Sequence, residues 1–159
     1  MQRRCNGPEQ NAAVRLERSR FYPVPRERAF AYITDPRNWP GYWPDLVAVV
    51  DPERARWRQP GDTMRLRMRL LGRTTELAMT LEQFEPPSRV TYRSVQPGLP
   101  DAHHERHFEP AADGFTYRLV VTYAVRAGLA GWLDRSVVRR GIDRALRTTL
   151  DNLDRQLPR

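Results

Sequence analysis

Lysine is missing from the 159-residue sequence; all 27 of its basic residues are arginine. Cysteine occurs once, at Cys5, which excludes an internal disulfide and any metal site built from several cysteines. Long apolar runs are also missing. Stretches such as Leu46 to Val50 and Leu119 to Val121 fall far short of the ~20 residues that a membrane-crossing helix needs. The opening Met1-Gln2-Arg3-Arg4-Cys5-Asn6 lacks the apolar segment of a signal peptide, so a cytoplasmic location is expected. The nine glycines are scattered singly, so no glycine-rich loop cradles a phosphate. There is no Gly-x-Ser-x-Gly elbow, and His103-His104-Glu105-Arg106-His107 has the wrong order for a His-Glu-x-x-His zinc motif. Internal repeats and linkers are absent too. One domain is expected over residues 14–159, after a loose polar leader, 1–13.

What is present suits a soluble globular chain: 40% hydrophobic and 29% charged residues. The formal net charge is +8 and the sequence pI about 10.6. A GC-rich coding sequence accounts for arginine replacing lysine, but not for the excess of positive charge, which raises nucleic acid as a partner. The test is whether the arginines cluster. Arg135, Arg139, Arg140, Arg144 and Arg147 crowd one side of a C-terminal helix, relieved in part by Asp134, Asp143 and Asp151. Arg65, Arg67 and Arg69 form the wet side of a strand. Solvated faces explain both groups, and nucleic-acid binding is the disfavoured alternative.

Val14 to Val24 reads as a strand. Pro25 suits the first turn of a helix over Arg26 to Thr34, with Ala29, Phe30 and Ile33 on one face. Asp35-Pro36 ends it, and Asp35 is placed to cap a second short helix through Asn38 or Trp39. Leu46 to Asp51 is the next strand. From Asp62 to Phe84 the pattern is a hairpin. Met64, Leu66, Met68 and Leu70 alternate with arginines, and Leu77, Met79 and Leu81 alternate with polar residues. A Gly72-Arg73 type II′ turn sets Met68 opposite Leu77, Leu66 opposite Met79, Met64 opposite Leu81 and Arg69 opposite Glu76. Strands over 89–96, 103–109 and 115–125 follow, separated by Pro86-Pro87, Pro97-Gly98 and Asp113-Gly114. After Gly128 the period becomes helical. Leu129, Trp132, Leu133, Val137, Val138, Ile142, Leu146, Leu150, Leu153 and Leu157 make one stripe.

Seven strands at about 4.8 Å spacing give a sheet roughly 30 Å wide, whereas one helix is about 10–12 Å across. An α+β fold is therefore expected: an antiparallel sheet of about seven strands, curled around a long C-terminal helix, with two short helices after the first strand. Such a curl leaves a hollow suited to a small apolar ligand. The sequence here resembles the START-like (SRPBCC) superfamily, and within it the polyketide cyclase/dehydrase-like group. The likeness rests on Pro25 and Ala29-Phe30, Asp35-Pro36-x-x-Trp39, Trp43-Pro44-Asp45-Leu46-Val47 and Gly61-Asp62. It continues through Phe108-Glu109-Pro110, Asp113-Gly114, Gly128-Leu129 and Trp132-Leu133. The family's usual Gly-Gly-Thr is Gly114-Phe115-Thr116 here. The resemblance implies a helix-grip fold whose cavity takes a lipid- or polyketide-like ligand, in carriers as well as in cofactor-free cyclases and dehydrases.

The sixth strand carries the densest chemistry. If Phe108 faces the core, alternation turns His104 and Arg106 inward, where they would share a wall with Tyr92, Ser94, Tyr117 and Tyr123. Arg106 could orient a carboxylate or polarise a ketone, His104 could move protons near neutral pH, and Tyr92 could donate to an enolate. These three are the candidate catalytic residues. The candidate ligand-binding set is Trp39, Trp43, Leu66, Met68, Met79, Tyr92, Ser94, His104, Arg106, Phe108, Tyr117, Leu119, Tyr123, Trp132, Ile142 and Leu146. Trp39, Tyr42 and Trp43 suit the lid or mouth of the pocket, and the two tryptophans serve equally well as anchors of the short helices. His103, Glu105 and His107 share the opposite face, but they span some 13 Å along one strand, too far for one ion. No metal and no cofactor is expected. The sequence allows a homodimer without arguing for one.

Overall fold

The computed structural model describes residues 13–70, 72–97, 99–125 and 134–157. Strand β1 (Ala13–Tyr22) leads to helix α1 (Arg26–Thr34), a 3₁₀ turn (Pro36–Asn38) and the single-turn helix α2 (Trp39–Tyr42). Strands β2 (Leu46–Val49), β3 (Thr63–Leu70), β4 (Arg73–Glu85), β5 (Arg89–Val95), β6 (Ala102–Ala111) and β7 (Gly114–Ala124) follow. A π turn (Asp134–Val138) runs into helix α3 (Arg139–Gln156). The sheet has seven strands in the order β1-β7-β6-β5-β4-β3-β2, antiparallel throughout. It curls over α3 in the helix-grip arrangement.

The period-two patterning decides which face turns inward. Met64, Leu66 and Met68 of β3 are buried while Arg65 and Arg67 are exposed, and β7 buries Phe115, Tyr117, Leu119, Val121 and Tyr123. The β3–β4 hairpin keeps these faces but pairs two residues away from the expected register. Leu66 faces Leu77, Met64 faces Met79, Met68 faces Thr75, and Arg67, not Arg69, faces Glu76. Leu70 pairs with Arg73, so Gly72 ends the connection rather than opening it. Its φ of 76° lies in the left-handed region that glycine adopts without a Cβ penalty. A shift of two residues preserves every facing, which is why alternation alone could not detect it.

The short helices lock onto each other at one atom. The Ile33 carbonyl, at the unpaired C-terminal end of α1, accepts both the Trp39 indole N–H at 2.9 Å and the Tyr42 hydroxyl at 2.8 Å. Pro25 stands at the N-cap of α1, one residue before its expected place in the first turn. Asp35 caps the following turn through the Arg37 amide at 3.0 Å, not through Asn38 or Trp39. The Arg37 side chain bonds the same carboxylate and holds its pKa below the usual carboxylate range. At the other side of the sheet, a Cβ on Gly114 would lie 2.1 Å from the Tyr22 carbonyl oxygen. Only glycine lets β7 begin that close to the end of β1.

Helix α3 buries Leu146, Thr149, Leu150 and Leu153 against the concave face. Tyr22 donates from its hydroxyl to the Leu150 carbonyl at 2.7 Å, and Asn152 Nδ2 donates to the Tyr42 carbonyl at 3.0 Å. The expected stripe began earlier, but Leu129, Trp132 and Leu133 lie outside the described residues. Val137 is 50% exposed rather than core, because the wider π turn interrupts the 3.6-residue phase ahead of α3. One buried aromatic has no periodic signal at all. Trp57, in the β2–β3 connection, packs edge-on to Trp39 (5.7 Å, 89°) and to Tyr92 (5.5 Å, 67°).

Candidate functional site

Between the sheet and α3 lies a cavity of about 530 Å³. Met68, Leu77 and Met79 form its β3–β4 wall, Tyr117, Leu119, Val121 and Tyr123 its β7 wall, and Val138, Ile142 and Leu146 its helical wall. Asp45, Arg69, Glu105 and Arg144 also line it, and β6 sends one buried cation into this mostly apolar space. Arg106 is only 4% exposed and lines the cavity. Its Nη2 donates to the Tyr92 hydroxyl at 2.9 Å, and the buried Tyr42 phenol also lies within reach of the charge, while Nε and Nη1 are buried and meet no well-formed acceptor among the described residues. No carboxylate pairs with it among the described residues.

Three rings take the place of a counter-ion. The Arg106 guanidinium lies 5.3 Å from the Trp39 ring centre, 5.5 Å from Trp43 and 5.0 Å from Tyr92. Burial opposes the charge, but the surrounding phenols of Tyr92, Tyr117 and Tyr42 outweigh it, and Arg106 is held above its ordinary pKa. Each unmade hydrogen bond costs roughly 1–3 kcal/mol, and each desolvated cation–π contact returns about 0.5–2 kcal/mol. The aromatic box thus holds the charge in place and leaves two N–H donors seeking an oxygen. The Tyr117 hydroxyl on the same wall is also buried without a hydrogen bond among the described residues, and burial raises its pKa well above the usual phenol. It is an O–H donor at neutral pH.

His104 sits two residues back on β6, stacked on Tyr92 at 4.5 Å and 7°. Its Nε2 lies 2.9 Å from Ser94 Oγ. Burial, with Arg106 and then His103 adding repulsion, lowers its pKa to about 3. The ring is therefore neutral at physiological pH. It is a hydrogen-bonding group and a weak base, not a group that titrates near pH 7.

The chain matches, over residues 13–158, the model of the family described as polyketide cyclase/dehydrase and lipid transport. It belongs to that family. No curated protein matches the sequence. Among solved structures, a protein from Rhodobacter sphaeroides superposes with a TM-score of 0.72 at 19% identity, covering 95% of each chain. A protein from Thermus thermophilus gives 0.68 at 20% identity, covering 92% of this chain and 97% of that one. The di-domain ARO/CYC StfQ of the steffimycin biosynthetic pathway gives 0.76 at 17% identity. That match covers 93% of this chain and 51% of StfQ, so the chain spans about half of the di-domain protein. These likenesses establish the fold.

In this member of the polyketide cyclase/dehydrase and lipid transport family, the cavity wall includes Trp43, Met68, Met79, Tyr92, Ser94, His104, Arg106, Tyr117, Leu119, Tyr123, Ile142 and Leu146. Trp39, Leu66 and Phe108 are fully buried behind that wall instead. Phe108 stacks among Phe30, Phe115 and Tyr117, and Trp39 serves as an anchor while Trp43 reaches the cavity. Trp132 lies outside the described residues. Tyr42, read with Trp39 and Trp43 as a candidate lid, also lines the wall, while sequence reasoning missed Leu77 and Val121 on it and Trp57 behind Tyr92. The alternation that selected Leu119 and Tyr123 would have supplied Val121, and the hairpin pattern would have supplied Leu77.

On the opposite face, His103 Nδ1 contacts Glu82 at 2.9 Å and His107 Nε2 contacts Glu105 at 2.9 Å. No group of three potential metal ligands forms among the described residues. Many arginines are paired as well: Arg20 with Asp151, Arg18 with Asp143, and Arg65 and Arg67 both with Glu76. Among the described residues, no helix is long and apolar enough to cross a membrane.

Proposed function

We propose that this domain binds an apolar small molecule, lipid- or polyketide-like, that carries one acidic or carbonyl oxygen, and that Arg106 receives this oxygen. The observation behind the proposal is the pair of donors, Nε and Nη1, that find no acceptor among the described residues on a fully buried cation in a mostly apolar wall. A purely apolar ligand would leave both donors unmet. A carboxylate or enolate would satisfy them with charge-assisted hydrogen bonds, the strong kind. Native mass spectrometry of the purified protein, paired with fluorescence titration of 2-naphthoate, tests this. A co-purifying acid or ketone, and at least a tenfold affinity loss in Arg106→Met, is the expected result. Equal 2-naphthoate binding by both proteins would overturn it.

The closeness of Tyr92 and Tyr117 to Arg106 favours a second reading, in which the ligand is turned over. Cyclisation of a poly-ketone and loss of water are redox-neutral steps. They need an electrostatic cradle for an enolate and proton donors, with no electron carrier. Neutral His104, hydrogen-bonded to Ser94, would accept the α-carbon proton as the enolate forms. Arg106 would hold the developing oxyanion with Tyr92 or Tyr117 donating to it, and the imidazolium would return the proton to the departing hydroxide as water leaves. A carrier alone would bind without changing its ligand. Incubation with a poly-β-ketone substrate, followed by product analysis, separates the two.

A further inference from the structure

The helical segment 136–143 has two faces, and each borders a different space. Val137, Val138, Gly141 and Ile142 line the cavity, whereas Ser136, Arg139, Arg140 and Asp143 line a groove of about 430 Å³. Edge strand β1 forms the other wall of that groove, through Arg15, Glu17 and Arg18. Among the described residues, none lines both spaces.

Four arginines and two carboxylates meet in the groove, which leaves a surplus of two positive charges. The carboxylates are already engaged. Glu17 pairs with Arg15 at 2.5 Å and lies 3.9 Å from Arg118, and Asp143 pairs with Arg18 at 2.5 Å and with Arg147 at 2.6 Å. Arg139 and Arg140 are exposed, and neither has a carboxylate partner among the described residues. The π turn runs directly into α3, so the donors offered here are side chains from two elements, not the amides of a helix end.

A guanidinium fork matches two oxygens of a tetrahedral oxyanion, and a surplus of two charges matches a dianion. A monocarboxylate would occupy one fork and leave the second arginine unmatched. Ser136, half-buried on the same wall, adds a hydroxyl. We propose that the groove between β1 and the start of α3 is a second binding site, for a phosphate-type dianion, held by Arg139 and Arg140 with Arg15 and Arg18 across from them. The bound oxyanion joins helix to strand on the side facing away from the cavity. The site does not rest on the Arg106 reading. Two sources offer this chemistry, a soluble phosphate and the headgroup of an anionic lipid.

Pyrophosphate, titrated calorimetrically at constant ionic strength, tests the site. The proteins are the parent, Arg139→Gln/Arg140→Gln, Arg106→Met and Arg54→Gln/Arg56→Gln, the last removing two exposed arginines outside the groove. The groove variant is expected to lose at least about tenfold in affinity, and the other two to stay within about twofold of the parent. Arg139 and Arg140 are exposed, so the groove variant should melt with the parent. Arg15→Gln, from the other wall, should weaken binding about threefold. Unchanged affinity in the groove variant overturns the site. An equal loss in Arg54→Gln/Arg56→Gln also overturns it, since that marks unspecific attraction to a basic chain. A loss in Arg106→Met does the same, because the anion would then sit in the cavity. Cosedimentation with phosphatidylcholine vesicles, with and without phosphatidate, separates the sources. Capture by phosphatidate vesicles that the groove variant loses assigns a lipid headgroup, and pyrophosphate binding without capture assigns a soluble phosphate. If the parent binds neither, there is no site.

Discussion

Arg106 and Tyr92 meet at 2.9 Å, guanidinium to phenol, on adjacent strands with no carboxylate between them. The costs and gains around this pair nearly cancel. Two unmet donors cost about 2–6 kcal/mol, and three cation–π contacts return about 1.5–6 kcal/mol. Arg106→Met is therefore expected to change stability by less than about 2 kcal/mol in urea unfolding while abolishing acid binding. A loss above about 3 kcal/mol would make Arg106 a structural residue.

His104 makes the fold sensitive to acid. Its pKa is lowered to about 3 in the folded chain from an ordinary 6.5. Below pH 6.5 the unfolded chain takes up a proton that the folded chain refuses, so stability falls as pH drops from 6.5 toward 3. The slope approaches about 1.4 kcal/mol per pH unit. Between about pH 7 and pH 5 the parent should lose about 1–2 kcal/mol more than His104→Gln in paired urea titrations. The imidazole NMR signals of His104 should not titrate between about pH 8 and pH 5, and a midpoint near 6.5 would contradict the lowered pKa.

Gly114→Ala tests the close approach of β7 to the end of β1. With the added Cβ 2.1 Å from the Tyr22 carbonyl oxygen, the strands must part. The expected loss is about 2–3 kcal/mol, read as a lowered urea midpoint. An unchanged midpoint would mean that β1 and β7 part there at no cost.

Trp57→Ala removes the ring that backs both Trp39 and Tyr92. Emptying such a site costs about 3–5 kcal/mol. Because Tyr92 carries the Arg106 hydrogen bond, 2-naphthoate affinity should fall as well. Trp57→Phe should recover most of both.

The legible parts of this fold were those written as repetition. Alternation in β3, β4 and β7 gave the buried faces, and Phe108 fixed the phase that carries Arg106 inward. Register was not legible in the hairpin, because displacement by two residues buries the same side chains. Nor was the depth of the site. Trp39 and Trp43 lie four residues apart in one aromatic stretch, yet one is sealed against Ile33 and the other faces the cavity. Trp57 sits among Arg56, Arg58 and Pro60 in a segment without period, and only its contacts with distant residues bury it.

The two ends of α3 are held unequally. Tyr22 grips Leu150, Arg20 reaches Asp151, and Asn152 bonds Tyr42, three attachments within three consecutive residues. Toward Arg139, Val138 and Ile142 are only partly buried against the core, and the polar tie to the sheet among the described residues is the solvent-accessible Arg18–Asp143 ion pair, a contact worth about 0–1 kcal/mol. The helix is thus a beam clamped at one end and resting at the other. A helix held in this way is expected to move least near Leu150 and most near Gly141. Amide exchange along α3 should grade accordingly, fastest toward Gly141 and slowest around Leu150.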